Sequence, residues 1–228
     1  MSSDLNPHPC PYPRSGGPPG ASLIFAVIPV KPLRQAKSRL ARALKPPLRQ
    51  ALVRSLLSRT LDLLNANERI ADTIVISHDV TVLELARSQN AIGLAESESG
   101  LNAAITQAAT WAADHGAQAI FIVPTDLPLI AEADINAMLD LATQPQCIVI
   151  APDRREEGTN ALLVRPPAAI VFAYGTSSFE AHRAQAQERG LTVHIYRSPT
   201  LALDLDVPDD LAFFQEGVAK FDLHSLSE

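Results

Sequence analysis

Short apolar runs alternate with longer helix-patterned segments along this chain from residue 22 onward, and that alternation admits few architectures. Strand, helix and strand repeated in series is the signature of a mostly parallel sheet covered by helices, an α/β fold. Residues 23–30 are continuous in apolar side chains, as a strand buried on both faces should be. Further strands are expected at 73–77, 91–95, 119–123, 147–151, 161–164, 192–196 and 202–205. Helices are expected at 47–64, 80–88, 101–115, 131–143, 178–189 and 208–215. In the first of these Leu48, Leu52, Leu56 and Leu63 recur near helical spacing behind Pro47. Gly116 has the place of a C-terminal cap for the third.

No internal repeat and no second change of composition interrupts the series, so residues 22–228 are expected to form one domain. Residues 1–21 carry Pro7, Pro9, Pro11, Pro13, Pro18 and Pro19 among Gly16, Gly17 and Gly20. That composition cannot bury a core, and a flexible tail is expected. Cys10 and Cys147 give neither a disulfide framework nor a metal spacing, which points to a reducing, cytoplasmic setting. No apolar stretch is long enough to span a membrane, and no secretory pattern opens the chain. The formal net charge of -6 argues against nucleic acid as a partner. A homodimer is left open.

Against that acidic balance stands a local excess of positive charge. Directly after the apolar run ending at Pro29 come Lys31, Arg34, Lys37, Arg39 and Arg42. Ligands of open α/β sheets sit outside the carboxyl ends of the strands, where a basic loop can hold a triphosphate. A cationic segment can also be a solvated helix face; its place behind the first strand favours a site.

Asp126 occupies a comparable position after the apolar run 119–123, bracketed by Pro124 and Pro128. A carboxylate there suits a metal ion on a nucleotide phosphate; capping of the next helix is the plainer reading, but that helix starts too far on. Asp204 and Asp206 alternate with Leu203, Leu205 and Val207, so on a strand both would face one way. They then read either as further magnesium ligands or, for Asp206, as the cap of a helix beginning at Pro208. Two small-residue turns, Gly158-Thr159-Asn160 and Gly175-Thr176-Ser177-Ser178, offer hydroxyl and backbone N–H groups to anions. Either could be an ordinary turn, but together with the basic loop they suggest two phosphate-bearing ligands. His182, four residues beyond Ser178 on the same helix face, stands out among scattered histidines. Neither a Walker P-loop nor a Gly-x-Gly-x-x-Gly fingerprint is present.

Taken together, Lys31-Pro32-Leu33, Ala36-Lys37-Ser38-Arg39-Leu40, Gly100-Leu101-Asn102, Pro124-Thr125-Asp126-Leu127-Pro128, Pro152-Asp153, Gly158-Thr159-Asn160, Gly175-Thr176-Ser177-Ser178-Phe179 and Asp204-Leu205-Asp206-Val207-Pro208 resemble the guanylyltransferases of deazaflavin coenzyme F-420 biosynthesis. The resemblance covers about residues 23–215. It implies a Rossmann-like three-layer sandwich of the nucleotide-diphospho-sugar transferase type, similar to the molybdenum-cofactor guanylyltransferases. It also implies transfer of GMP from GTP, with Mg2+, onto phosphoenolpyruvate or 2-phospho-L-lactate. By the same carry-over Asp126 is the catalytic metal carboxylate; from the residues themselves, Lys31, Lys37 and Arg39 are expected to carry the triphosphate charge in catalysis, with Asp204 and Asp206 as further metal ligands. Thr159, Gly175 and Ser178 match acceptor positions, and Gly100, Leu101 and Asn102 would line the base and ribose. Other acceptors (3-phosphoglycerate, a sugar phosphate, a molybdopterin) and a non-catalytic nucleotide-binding regulator are the alternatives. Thr125 stands where a small residue is common in that family.

Overall fold

Every side chain of the first strand, β1 (Ile24–Pro29), is buried except that of Pro29, which is half-buried, so helices must cover both of its faces. The computed structural model describes residues 23–35, 37–206 and 209–210. In chain order come α1 (Pro46–Ala66), β2 (Ile70–Ser77), α2 (Val80–Ser88), β3 (Ile92–Ala95), α3 (Leu101–Asp114), β4 (Ala119–Ile122) and α4 (Glu132–Leu141). After them follow β5 (Cys147–Pro152), β6 (Thr159–Arg165), α5 (Ser178–Glu188), β7 (Thr192–Ile195) and the short α6 (Pro199–Ala202). The sheet has the order β3-β2-β1-β4-β6-β5-β7. Among the described residues no helix is long and apolar enough to cross a membrane.

Two apolar layers result. On one face Val53, Leu57 and Leu61 of α1, Val82 of α2 and Ile135 and Met138 of α4 meet Ile28, Phe121, Val149 and Leu163. On the other, Ile105 and the alanines of α3, with Phe179 and Ala186 of α5, meet Val27, Ile120, Ile148 and Leu162. This is the three-layer α/β sandwich expected from the alternation of strands and helices.

One strand runs against the rest. β1 pairs in parallel with β2 and β4, as β2 does with β3 and β5 with β7. β6 is antiparallel to both its neighbours, with Leu162 opposite Ile122 of β4 and Ile150 of β5. Reversal puts the beginning of β6, not its end, at the carboxyl edge of the sheet: Thr159 lies opposite Pro152, the last residue of β5. An antiparallel pair needs only a short hairpin, and residues 153–158 supply it. There the Asp153 carboxylate accepts from the backbone N–H groups of Arg155 and Glu157.

The strand expected at 202–205 is absent. Pro199 occupies the first turn of α6, and the Ser198 hydroxyl accepts from the Thr200 N–H, so these residues coil instead. Residues 203–206 that follow have no regular structure. The alternation read from the sequence is nevertheless real: Leu203 and Leu205 are buried against Leu40, Leu52 and Leu56, while Asp204 and Asp206 keep partial exposure. Asp209 and Asp210 are helical; the rest of the helix expected at 208–215, and the expected tail at 1–21, lie outside the described residues.

Asp134, in the first turn of α4, anchors the segment that leads to residues 203–206. Its buried carboxylate accepts from the Ala131 N–H at 3.0 Å, the Tyr196 hydroxyl at 3.1 Å, the Ser198 hydroxyl at 2.6 Å and the Thr200 hydroxyl at 2.7 Å. Asp134→Ala would strand several half-buried donors at once, so a loss of about 2–3 kcal/mol is expected in denaturant unfolding. A loss below about 1 kcal/mol would mean that water replaces the carboxylate and that the anchor is weak.

Candidate active site at the carboxyl edge of the sheet

Beyond β1 the chain turns, with the Gln35 N–H donating to the Pro32 carbonyl and the Leu33 N–H to the Asp79 carboxylate. A 3-10 turn over Ser38–Arg42 follows, and its Leu40 is fully buried against Leu203 and Leu205. Between these two turns Lys37 adopts φ 53°, a left-handed backbone uncommon outside glycine. Its ammonium lies 3.2 Å from Asp126 Oδ2 and 2.9 Å from Asp206 Oδ1. Arg39, 72% exposed, reaches Asp206 at 3.8 Å.

Charge and burial oppose each other here. Desolvation alone would depress the Lys37 pKa, but Asp126 and Asp206 outweigh it and hold the pKa above the ordinary lysine value. Desolvation likewise pushes Asp206 upward, yet Lys37, Arg39 and Lys31 pull its carboxyl below the usual range. Asp204 has no such compensation: burial, then the nearby charge of Asp126, with smaller contributions from Asp206 and Asp210, push it up to about 6. The basic segment therefore divides. Lys31, Arg34 and Arg39 face solvent, whereas Lys37 is spent on holding carboxylates together.

Asp126 caps no helix, since α4 begins at Glu132. It stands with Asp204 and Asp206 as a set of hard oxygen donors in which Asp204, among the described residues, has no cation of its own. Among those residues no three carboxylate, histidine or cysteine side chains are placed as a ready metal cage. Mg2+ does not require one: it is commonly held by one or two carboxylates together with substrate phosphates and water. Asp126 and Asp206, already converging on one cation, fit that pattern.

Across the same edge lie two buried hydroxyl side chains. Thr159, at the start of β6, and Ser178, the first residue of α5, are 7% and 2% exposed. The Phe179 N–H donates to the Glu157 carbonyl at 3.2 Å, which seats α5 against the hairpin. Ser178 N–H is taken by the Gly175 carbonyl, so these two amides at the helix start are already engaged. Gly175 has φ +141°, and a Cβ there would meet nothing within 4 Å, so backbone conformation rather than crowding requires glycine. His182 is wholly buried: Nδ1 lies 3.1 Å from Thr159 Oγ1, and Nε2 accepts from the Ala173 N–H at 2.9 Å. Burial lowers its pKa to about 4, so the ring is neutral near pH 7.

At the start of α3 the side chains part company. Leu101 is 41% exposed, an apolar surface able to meet a flat base. The Asn102 carboxamide is turned away to the backbone of Tyr174, accepting from its N–H at 2.7 Å and donating to its carbonyl at 3.1 Å. Gly100, the N-cap, has φ +128°. Asn102 thereby joins the helix expected to hold the nucleotide to the turn containing Gly175.

Three supporting residues carry no signal in the sequence. Asn160, buried beside Thr159, donates to the Leu201 carbonyl and ties β6 to the segment carrying Asp204 and Asp206. Asp210 accepts from the Asp206 N–H and pairs with Arg154 at 2.8 Å. Asp79 fixes the turn at Leu33. Each reaches a partner distant in sequence (Leu201, Arg154 and Leu33), and no local pattern announces that pairing.

The phosphoenolpyruvate guanylyltransferase of Rubrobacter xylanophilus is 44% identical over 189 residues, 83% of this chain and 92% of that protein. The 2-phospho-L-lactate guanylyltransferase of Methanothermobacter thermautotrophicus is 40% identical over 191 residues, 82% of this chain and 81% of that protein. In fold, the chain is similar to a crystal structure described as a nucleotide-diphospho-sugar transferase from Desulfovibrio desulfuricans. That match has a TM-score of 0.72 at 15% identity and covers 90% of this chain and 94% of the other. Residues 24–218 match the family model described as "Guanylyl transferase CofC like", and the chain belongs to that family.

Proposed function

We propose that this protein transfers GMP from GTP to a small phosphorylated carboxylate, phosphoenolpyruvate or 2-phospho-L-lactate, with release of pyrophosphate. The observation that carries the reading is two unlike groups of polar side chains on one sheet edge. One is the cation and carboxylate cluster of Lys31, Lys37, Arg39, Asp126 and Asp206; the other is the hydroxyl pair of Thr159 and Ser178. Asn160 ties β6 to the segment carrying Asp206, and Asn102 ties the start of α3 to the turn before α5. We place the activity in coenzyme F-420 biosynthesis, in a cytoplasmic setting, with residues 22–228 acting as one domain.

In this reading an oxygen of the acceptor phosphate forms a bond to the α-phosphorus of GTP. The bond from that phosphorus to the bridging oxygen breaks, and pyrophosphate leaves with the electron pair. A phosphate monoester is largely ionised near pH 7, so no side chain needs to take a proton from it. Catalysis then rests on alignment and on neutralising charge. Lys31 and Arg39 meet the triphosphate from solvent, and Lys37 fixes Asp126 and Asp206. Those two carboxylates, with Asp204 beside them, would hold Mg2+, which neutralises triphosphate charge when bound. Gly100 and Leu101 lie along the nucleoside, while Thr159, Ser178 and the Gly175 turn receive the acceptor.

Purified protein given GTP, Mg2+ and a panel of phosphorylated carboxylates should release pyrophosphate only when an acceptor is present. No release with any member of the panel would sink the proposal. Asp126→Asn should cut turnover by a factor of roughly 100 or more, the loss of one strong electrostatic contact, with little change in melting temperature. Normal turnover would take Asp126 out of the reaction. Arg39→Ala should weaken GTP binding several-fold and flatten its salt dependence without affecting stability, since the side chain is exposed. Lys37→Ala is a poorer probe, because it leaves the half-buried Asp126 and Asp206 without their shared cation and so lowers stability as well. Ser178→Ala should raise the acceptor KM roughly tenfold or more and leave that for GTP alone; equal changes in both would argue for a fold role only.

A further inference from the structure

His182 receives a hydrogen bond that dictates which way its ring is protonated. A backbone N–H can only donate, and that of Ala173 points at Nε2 at 2.9 Å. Nε2 must therefore carry the lone pair, and in a neutral imidazole the proton then sits on Nδ1. Nδ1 faces Thr159 Oγ1 at 3.1 Å, so the histidine is the donor and the threonine the acceptor. A hydroxyl has one proton and two acceptor positions. With its oxygen already engaged by Nδ1–H, Thr159 cannot turn its proton to His182, and the proton is free for another acceptor. Tyr174 packs edge-on against the same ring, with centroids 5.1 Å apart, and holds it in plane.

We infer that His182 is a positioning residue for the acceptor, and that it aims the Thr159 O–H outward as a donor to a phosphate or carboxylate oxygen. The inference rests on the proposed placement of the acceptor at Thr159. Polarity runs one way, from the Ala173 amide through the imidazole to the threonine and on to the anion. The depressed basicity of His182, at about 4, is consistent with this, since protonation at Nε2 would oppose the Ala173 amide. Nothing in the arrangement makes His182 a base: its free lone pair is occupied by the backbone.

The test is a double-mutant cycle on steady-state KM values, using Thr159→Val, His182→Phe and the pair. Thr159→Val keeps the shape and removes the hydroxyl; His182→Phe keeps the ring and removes both nitrogens. Each single change should raise the acceptor KM by roughly tenfold to a hundredfold, the equivalent of one charge-assisted hydrogen bond, with the GTP KM little altered. In the Thr159→Val background His182→Phe should add almost nothing. Additive effects, or equal effects on both substrates, would overturn the inference and leave His182 a packing residue. If Thr159→Val leaves the acceptor KM unchanged, the acceptor placement itself fails, whatever His182 does. If it raises KM while His182→Phe does not, only the role of His182 fails. Where His182→Phe does not fold, His182→Leu, which also lacks a donor, replaces it in the cycle. Nitrogen NMR of the unaltered protein near pH 7 gives a check free of variants: Nδ1 should be protonated and Nε2 not, and the opposite tautomer would refute the polarity.

Discussion

The Lys37 ammonium lies between carboxylates that the chain delivers from two separate places, Asp126 behind β4 and Asp206 beyond α6. Without a cation there, these groups and Asp204 would repel one another at a half-buried edge, so the site could not close. The geometry is set by packing and not by charge alone. Leu40 follows Lys37 by three residues, Leu205 precedes Asp206, and the two leucines share one small apolar cluster with Leu52 and Leu56 of α1. Apolar contact brings the segments together, and the ammonium makes their proximity tolerable. That division explains why a lysine accepts a left-handed backbone at this point.

The second determinant is the reversal of β6. Parallel strands present their ends at the ligand edge, and an antiparallel one presents its beginning, so loops from both directions meet there. Thr159 is delivered by that reversal, and α5 by the Gly175 turn. On the proposed reading the two anion sites differ in kind for a reason. A triphosphate must have its charge answered, which cations do. An attacking phosphate oxygen must keep its electron density, and neutral hydroxyls bind it without drawing that density off as a tight guanidinium pair would.

The strands are readable in the sequence because buried parallel strands are continuous apolar runs. α6 is not, because a four-residue turn is too short to show periodicity, and inward Leu203 and Leu205 imitate a strand. For the site, the residue types are legible and their pairings are not. Five cations in a row look alike in sequence, and only the isolated Leu40 hints that Lys37 turns inward. The sequence leads one to expect the carboxamide of Asn102 along the nucleotide, and the structure supplies it with a different, backbone partner. His182 can be suspected from its spacing to Ser178, but its tautomer depends on the amide of Ala173, which no side-chain pattern reveals.

Asn102 has a further consequence. Its carboxamide gives and takes one hydrogen bond with Tyr174, as a neighbouring strand would, and so serves as a one-residue substitute for a sheet partner. Aspartate could accept but not donate, and leucine could do neither; the amide completes both bonds. On the proposed reading the Gly-Leu-Asn sequence is read in two directions, Gly100 and Leu101 toward the nucleoside and Asn102 toward the protein's own backbone. On that reading a residue in a binding motif owes its identity to folding, and the start of α3 and the turn at Tyr174 form a single mechanical part.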